Sequence, residues 1–352
     1  MKLDTVFKIL LLVVIIFTIQ QLWPLKEIKD VFKNESFVLL IKRILKKLQN
    51  FDFIFIKNEL LTFYNEKYIV PKPSYFIFFG ISGCLTFIVK FILNKLSQPI
   101  GEKLIPQKKW SQRIRKIKIQ RFNIMFFNLF YFSLISAFGF VALRNQTYFP
   151  SELGGKGKLS DYFVDYPNQK TSNLIHLYYF LNGGYLLTSV YSILISEKLP
   201  DFYENLLQHL CAIILVYFSY SQNFIRVGAI IMLCHDICEI FSSACRVFVD
   251  TRYKFITVTS FCILFTSWGF LRLYIFAKRC ILAIHRNFHI FSSLLNVETR
   301  IWLIFLLLVI LLMNAYWFVL MAKMFIHFIT SGQTEDILTR VTEIEEKEKK
   351  IK

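Results

Sequence analysis

Acidic residues are scarce in this chain: 24 Asp and Glu stand against 42 Lys and Arg, for a net charge of +18 over 352 residues. There is no Gly-rich loop to cradle a phosphate, no Gly/Ser linker and no internal repeat. The seven cysteines (Cys84, Cys211, Cys234, Cys238, Cys245, Cys262 and Cys280) form no secreted disulfide framework. Nearly all of them fall in apolar runs, where cysteine behaves as a small apolar residue. Cys234 and Cys238 share a helix face, but His235 points about 100° away from Cys234. No second cysteine pair completes a zinc set, so no metal site is expected.

What the chain has in excess is apolar surface. Hydrophobic residues make up 55% and aromatics 17% of it, with a mean hydropathy of +0.48. Soluble domains average roughly 45–50% apolar residues, so the composition points to an all-α polytopic membrane protein. The positive charge sits mostly between apolar runs, which argues against nucleic acid as a partner.

About eight runs are long enough to be candidate membrane spans: Val6 to Trp23, Tyr75 to Leu93, Asn123 to Leu143, Leu177 to Ile195, Leu206 to Ser221, Phe224 to Val249, Phe255 to Phe276 and Ile301 to Phe328. The first reads as an anchor rather than a signal peptide, because no small-residue cleavage site follows Leu22-Trp23-Pro24. The linker between the second and third spans holds nine basic residues, among them Lys108, Arg113, Arg115, Lys118 and Arg121, against Glu102 alone. The positive-inside rule places that linker and both termini in the cytosol. The segments 24–74, 144–176 and 277–300 then become lumenal and contain both N-glycosylation sequons, Asn34-Glu35-Ser36 and Asn145-Gln146-Thr147.

Five segments follow. Residues 1–24 form the anchor and 25–74 a lumenal segment. Residues 75–122 are a span with its basic cytosolic linker, 123–330 the main membrane domain, and 331–352 a charged cytosolic tail. Within the second segment, Ser36 to Leu48 reads equally as an interfacial amphipathic helix or as a solvated basic one.

The run from Phe224 to Val249 carries His235, Asp236, Glu239 and Arg246 among Ile, Leu, Met and Val. An ionised carboxylate near the centre of a span costs roughly 2.5–3.5 kcal/mol. At helical spacing these groups make one polar face, which must look into protein or a wet cavity. A second polar stripe, Asn205, Gln208 and His209, follows the helix-start signal Pro200-Asp201. The short turn Tyr220 to Asn223 predicts that these two helices are antiparallel neighbours, so His209 meets the His235/Asp236/Glu239 face. Imidazoles beside carboxylates in a water-poor space suit acyl transfer. One acts as nucleophile or base, and a carboxylate fixes its tautomer and stabilises the imidazolium. The alternative is that these groups satisfy one another between helices.

The run Asp201-Phe202-Tyr203-Glu204, His209, Phe218-Ser219-Tyr220, Asn223-Phe224, Arg226, Gly228 and His235-Asp236 resembles the longevity-assurance motif of ceramide synthases, members of the TLC-domain superfamily. Tyr166-Pro167, Tyr178-Tyr179, Arg272, Trp317, Leu320 and Lys323-Met324 extend the resemblance over roughly residues 160–332. It implies a ring of helices around a hydrophobic tunnel in the endoplasmic reticulum membrane. It also implies N-acylation of a sphingoid base by acyl-CoA, a cosubstrate rather than a bound cofactor, with membrane lipid around the protein and room for a homo- or heterodimer.

Carried over by position, His209, His235 and Asp236 are the catalytic candidates. Gln208, Glu239, Asn205 and Arg226 are supporting ones, and no residue is assigned to a cofactor. Basic residues such as Arg113, Arg115 or Arg252 would hold the CoA. The chain departs from the family at four residues. Gln208 replaces the first of two paired histidines, Phe127 and Asn128 stand where an aromatic-basic pair is usual, and Asn182 takes an acidic position. Gln cannot be a nucleophile or shuttle a proton at neutral pH. Two other readings follow. One is a TLC-domain protein that binds lipid, regulates an active paralogue or attends a translocon. The other is an ion transporter.

Among the remaining groups, His176, His285, His289 and His327 read as interfacial or structural. Arg226 and Arg272 read as snorkelling side chains or as groups that close a tunnel. Gly183-Gly184 allows either close helix approach or a tunnel bend.

Overall fold

A computed structural model describes residues 53–106, 112–195, 202–287 and 297–331. The first apolar run, the segment 36–48, His289, Asp201 and the charged tail lie outside the described residues. The helices are α1 (Phe53–Asn65), α2 (Phe76–Leu104), α3 (Gln112–Leu143), α4 (Asn173–Ile195), α5 (Phe202–Ser221), α6 (Ile225–Phe248), α7 and α8 (Val297–Ser331). Helix α7 is a rod that starts as an α-helix at Lys254–Ser267, widens to π-helical turns over Trp268–Ile281 and ends at Leu282–Arg286.

Among the described residues, five helical stretches are long and apolar enough to cross a membrane: Pro73–Leu104, Gln112–Leu143, Ile225–Phe248, Lys254–Arg286 and Ile301–Thr330. Helices α4 and α5 have 23 and 20 residues, and 20 residues span about 30 Å, the thickness of a bilayer core. Their polar groups, such as His176 and Asn182 on α4 and Glu204, Gln208 and His209 on α5, dilute their hydropathy.

Seven of these helices close a ring in the order α2, α3, α6, α7, α8, α5, α4 and back to α2. Particular side chains hold several of these contacts. Between α2 and α4, Ser82 Oγ donates to Phe180 O at 2.7 Å and Thr188 Oγ1 to Gly83 O at 3.0 Å. A Cβ on Gly184 would lie 2.5 Å from Gly83 N and 2.3 Å from Ser82 Oγ. The Gly183-Gly184 pair therefore serves close helix approach. At the basic end, Lys118 of α3 pairs with Asp250, just beyond α6, at 2.7 Å. Phe265 of α7 stacks on Phe318 of α8 with centroids 4.7 Å apart.

The ring order corrects the sequence expectation for α5. The turn before α6 forms, with Asn223 at φ 57°, a left-handed conformation that asparagine tolerates. Even so, α5 sits between α4 and α8. Helices α5 and α6 face each other across the interior, and little of either packs on the other.

The end of the ring opposite the basic linker is filled with aromatic packing. Tyr178, Tyr179 and His176 of α4 are buried. His176 bridges Thr171 Oγ1 at 2.7 Å and Tyr220 Oη at 3.0 Å, which makes it structural. Over this end lies the segment 144–172. Glu152 pairs with Arg279 of α7 at 2.5 Å and Lys278 at 3.2 Å. Asn145, of the second sequon, is exposed in this segment.

Candidate active site in the ring interior

The ring encloses a cavity of about 1040 Å³, above the roughly 300–1000 Å³ of most small-molecule sites. It runs from Ile114, Ile195 and Val249, at helix ends on the basic side, to Phe224 and Ile284 on the other. Leu307, Ile310, Trp317 and Met324 of α8 give it an apolar wall. His209, His235, Asp236, Glu239, Gln208 and Asn205 all line it. The two polar stripes thus meet across a shared cavity.

Both histidines are held the same way. His209 Nδ1 lies 2.8 Å from Asn205 O, and His235 Nδ1 lies 2.8 Å from Ile231 O. A carbonyl only accepts, so in each ring Nδ1 carries the proton and Nε2 keeps the lone pair. Their difference is in what meets Nε2. Asn314 Nδ2 donates to that of His235 at 3.2 Å, and Phe276 packs edge-on to its ring. Among the described residues His209 has no such cap, and it presents Nε2 as the basic nitrogen of the site.

His235 and Asp236 diverge, as adjacent helical residues must. Asp236 is 4% exposed, and its Oδ2 accepts from Tyr178 Oη at 2.5 Å. Gly139 makes room for that tyrosine, since a Cβ there would fall 2.7 Å from Tyr178 Cε2. A direct proton relay joining His235 to Asp236 is therefore not what the folded geometry provides. Asn182, on the helix that carries Tyr178, lines the cavity beside them and donates to Tyr178 O at 3.2 Å. Asn128 accepts from Tyr185 Oη at 3.2 Å.

Arg272 is the larger correction. It does not snorkel: it is 1% exposed, its Nη2 donates to Glu239 Oε1 at 2.5 Å and to His235 O at 2.9 Å, and its guanidinium lies 3.9 Å from the Trp268 ring centroid. Trp268 Nε1 donates to Asn314 O at 2.9 Å. Trp268, Arg272 and Asn314 thus form a buried brace behind the polar face of α6. A buried ion is tolerable only with a partner and good hydrogen bonds, and Glu239 supplies the partner.

Arg226 is placed elsewhere. Its Nη1 reaches Asp161 O at 3.1 Å and Val164 O at 3.2 Å, tying the segment 144–172 to the start of α6. The basic residues that line the cavity are Lys90, Lys118, Arg121, Arg246 and Arg272. Arg115 instead holds Glu102 O at 2.6 Å and Ile105 O at 3.3 Å. Arg113 and Arg252 are not part of the wall. Cys234 and Cys238 are packed at 0% exposure in the core.

Sequence reasoning missed Tyr178 as the partner of Asp236, and missed Asn314 and Lys90 altogether. Asn314 and Lys90 did carry a signal, each being a lone polar group inside a long apolar run.

A ring of membrane-crossing helices around a cavity with histidines and carboxylates on its wall defines a polytopic membrane protein with an intramembrane site. The model of the TLC domain matches residues 121–323, and the chain belongs to that family. Within it the similarity is to ceramide synthases. Ceramide synthase 4 of Homo sapiens is 28% identical over 187 residues, covering 52% of this chain and 46% of that protein. Ceramide synthase LOH2 of Arabidopsis thaliana is 30% identical over 172 residues, covering 48% and 58%. Ceramide synthase hyl-1 of Caenorhabditis elegans is 22% identical over 188 residues, covering 50% of each chain. The chain spans about half the length of the curated relatives it matches.

Proposed function

We propose that this chain transfers a fatty acyl group from acyl-CoA to the amine of a sphingoid base in the endoplasmic reticulum membrane. The observation that carries this reading is His209: its Nδ1–H is fixed on Asn205 O, so Nε2 enters the cavity as a base. The amine nitrogen attacks the thioester carbonyl, forming the C–N bond, and His209 Nε2 takes the proton. Collapse breaks the C–S bond, and the proton passes to the leaving thiolate. His235 and its Asn314 cap shape the wall, and Tyr178 fixes the carboxyl of Asp236 in it. Gln208 lines the same wall and hydrogen-bonds without reacting. The apolar wall takes the acyl chain at roughly 0.8 kcal/mol per buried CH₂, so cavity length selects chain length.

The test is N-acylation of a labelled sphingoid base by membranes from expressing cells. His209→Ala and Asp236→Asn are expected to abolish product. An active double variant overturns the assignment. A second reading, a lipid-binding TLC protein without catalysis, is favoured by Gln208 alone and makes no product in that assay.

A further inference from the structure

Lys90 lies near the middle of α2, in a stretch whose neighbours Phe87, Ile88, Val89 and Phe91 are exposed apolar residues. Its own side chain turns inward to the cavity wall. Nζ donates to Ser192 Oγ of α4 at 2.7 Å and lies 5.8 Å from the Phe127 ring centroid of α3. Among the described residues no carboxylate pairs with it, in contrast to Lys118 and Arg272, whose charges are matched by Asp250 and Glu239. An ammonium has three donors, and Ser192 takes one.

A cation inside a membrane domain is costly and marks a functional position by default. Among the described residues this one has no anion, so a ligand in the cavity is the source of compensating charge that the lining leaves open. His209 identifies the place where it arises. Lys90 and His209 line the same cavity, and His209 Nδ1 is fixed on Asn205 O, which leaves its Nε2 to that space. Arg246, on the last turn of α6, and Arg121, near the start of α3, line the wall nearer the basic end, where the phosphates of an acyl carrier would lie. Next to His209 the ligand atom that gains negative charge is the thioester carbonyl oxygen, as the amine adds to its carbon. Lys90 lies outside the segment matched by the TLC-domain model.

We propose that Lys90 is a catalytic residue that donates a hydrogen bond to the thioester carbonyl oxygen and holds the oxyanion of the tetrahedral intermediate. This rests on the acyltransfer reading above. In the step, the amine nitrogen bonds to the carbonyl carbon, the C=O electron pair moves to oxygen opposite Lys90 Nζ, and His209 takes the amine proton. The pair then returns, the C–S bond breaks, and the thiolate receives the proton from His209. Lys90 stays an ammonium throughout and is neither oxidised nor deprotonated.

The experiment uses the full chain in lipid nanodiscs with palmitoyl-, stearoyl- or lignoceroyl-CoA, whichever binds tightest, isotope-labelled at the thioester carbonyl. The infrared band of the bound carbonyl is expected at lower frequency in wild type than in Lys90→Met, where it returns to the value in an aprotic solvent. Lys90→Met is expected to lower kcat by roughly 10²–10³-fold, the usual effect of losing one oxyanion donor, with KM for the acyl-CoA changed less than about threefold. Lys90→Arg is expected to keep more activity than Lys90→Met. The same carbonyl band in wild type and Lys90→Met overturns the assignment, as does a kcat for Lys90→Met within about threefold of wild type. A shifted band without turnover in wild type supports the hydrogen bond from Lys90 to the carbonyl but removes the acyltransferase reading and, with it, the catalytic role. Absence of any bound acyl-CoA overturns both.

Discussion

Arg272 and Glu239 meet across the α6–α7 interface at 2.5 Å, the arginine buried and the carboxylate partly open to the cavity. Removing one member strands the other's charge, which in buried pairs costs about 3–5 kcal/mol. Arg272→Met is therefore expected to lower the thermal midpoint of the purified protein sharply, and Arg272→Met with Glu239→Gln to recover most of it. A double variant no more stable than Arg272→Met would show that the pair is not coupled.

Tyr178 holds Asp236 through one short hydrogen bond. Tyr178→Phe removes that donor from a buried carboxylate, for an expected loss of about 1–3 kcal/mol and a fall in product formation. Gly139→Ala pushes a methyl against the same ring and is expected to lower activity likewise. Unchanged activity in both would separate Asp236 from the chemistry.

Gly184 lets α2 and α4 touch backbone to backbone. Gly184→Ala has no side chain it can push aside cheaply and is expected to cost about 1–3 kcal/mol, as overpacked positions do. The reading is a lower thermal midpoint with the acyl-CoA preference unaltered. A change of preference at full stability would mean that the pair lines a bend of the cavity instead.

The segment 144–172 is clamped by Glu152. Burial alone would raise its carboxyl, but hydrogen bonds, first from Arg279, then from its own backbone N–H and from Lys278, outweigh that and bring it from 4.5 down to about 2. A depressed carboxyl contributes stability above its unfolded value, so the clamp is complete above about pH 4.5 and is lost as pH falls towards 2. Glu152→Gln is expected to destabilise by about 1 kcal/mol at pH 7 and to have no effect near pH 2. Equal effects at both pH values, followed by hydrogen exchange in the segment, would contradict the clamp.

How far the sequence carried this reading varied by element. The polar face of α6 was legible because His235, Asp236 and Glu239 recur at helical spacing in a greasy run, where charge has few explanations. The seven-helix ring was legible only through family resemblance, because its order is not the order of the chain. The turn before α6 suggested a neighbour for α5, yet α5 packs on α4 and α8, whose apolar faces have no local signature. Arg272 resembled a snorkelling residue because its distance from helix ends was the available guide. Its partner Glu239 lies on another helix, and π-helical turns leave no readable period. The uncapped state of His209, which decides between the two imidazoles, depends on Asn314 from a third helix.

The most direct test compares membranes from cells expressing wild type or Gln208→His, fed a labelled sphingoid base and a panel of acyl-CoAs. Catalysis by His209 predicts N-acylated product from the wild type, with Gln208 tolerated beside it. Product from Gln208→His alone would contradict it and make the natural chain a lipid-binding protein with a lapsed site.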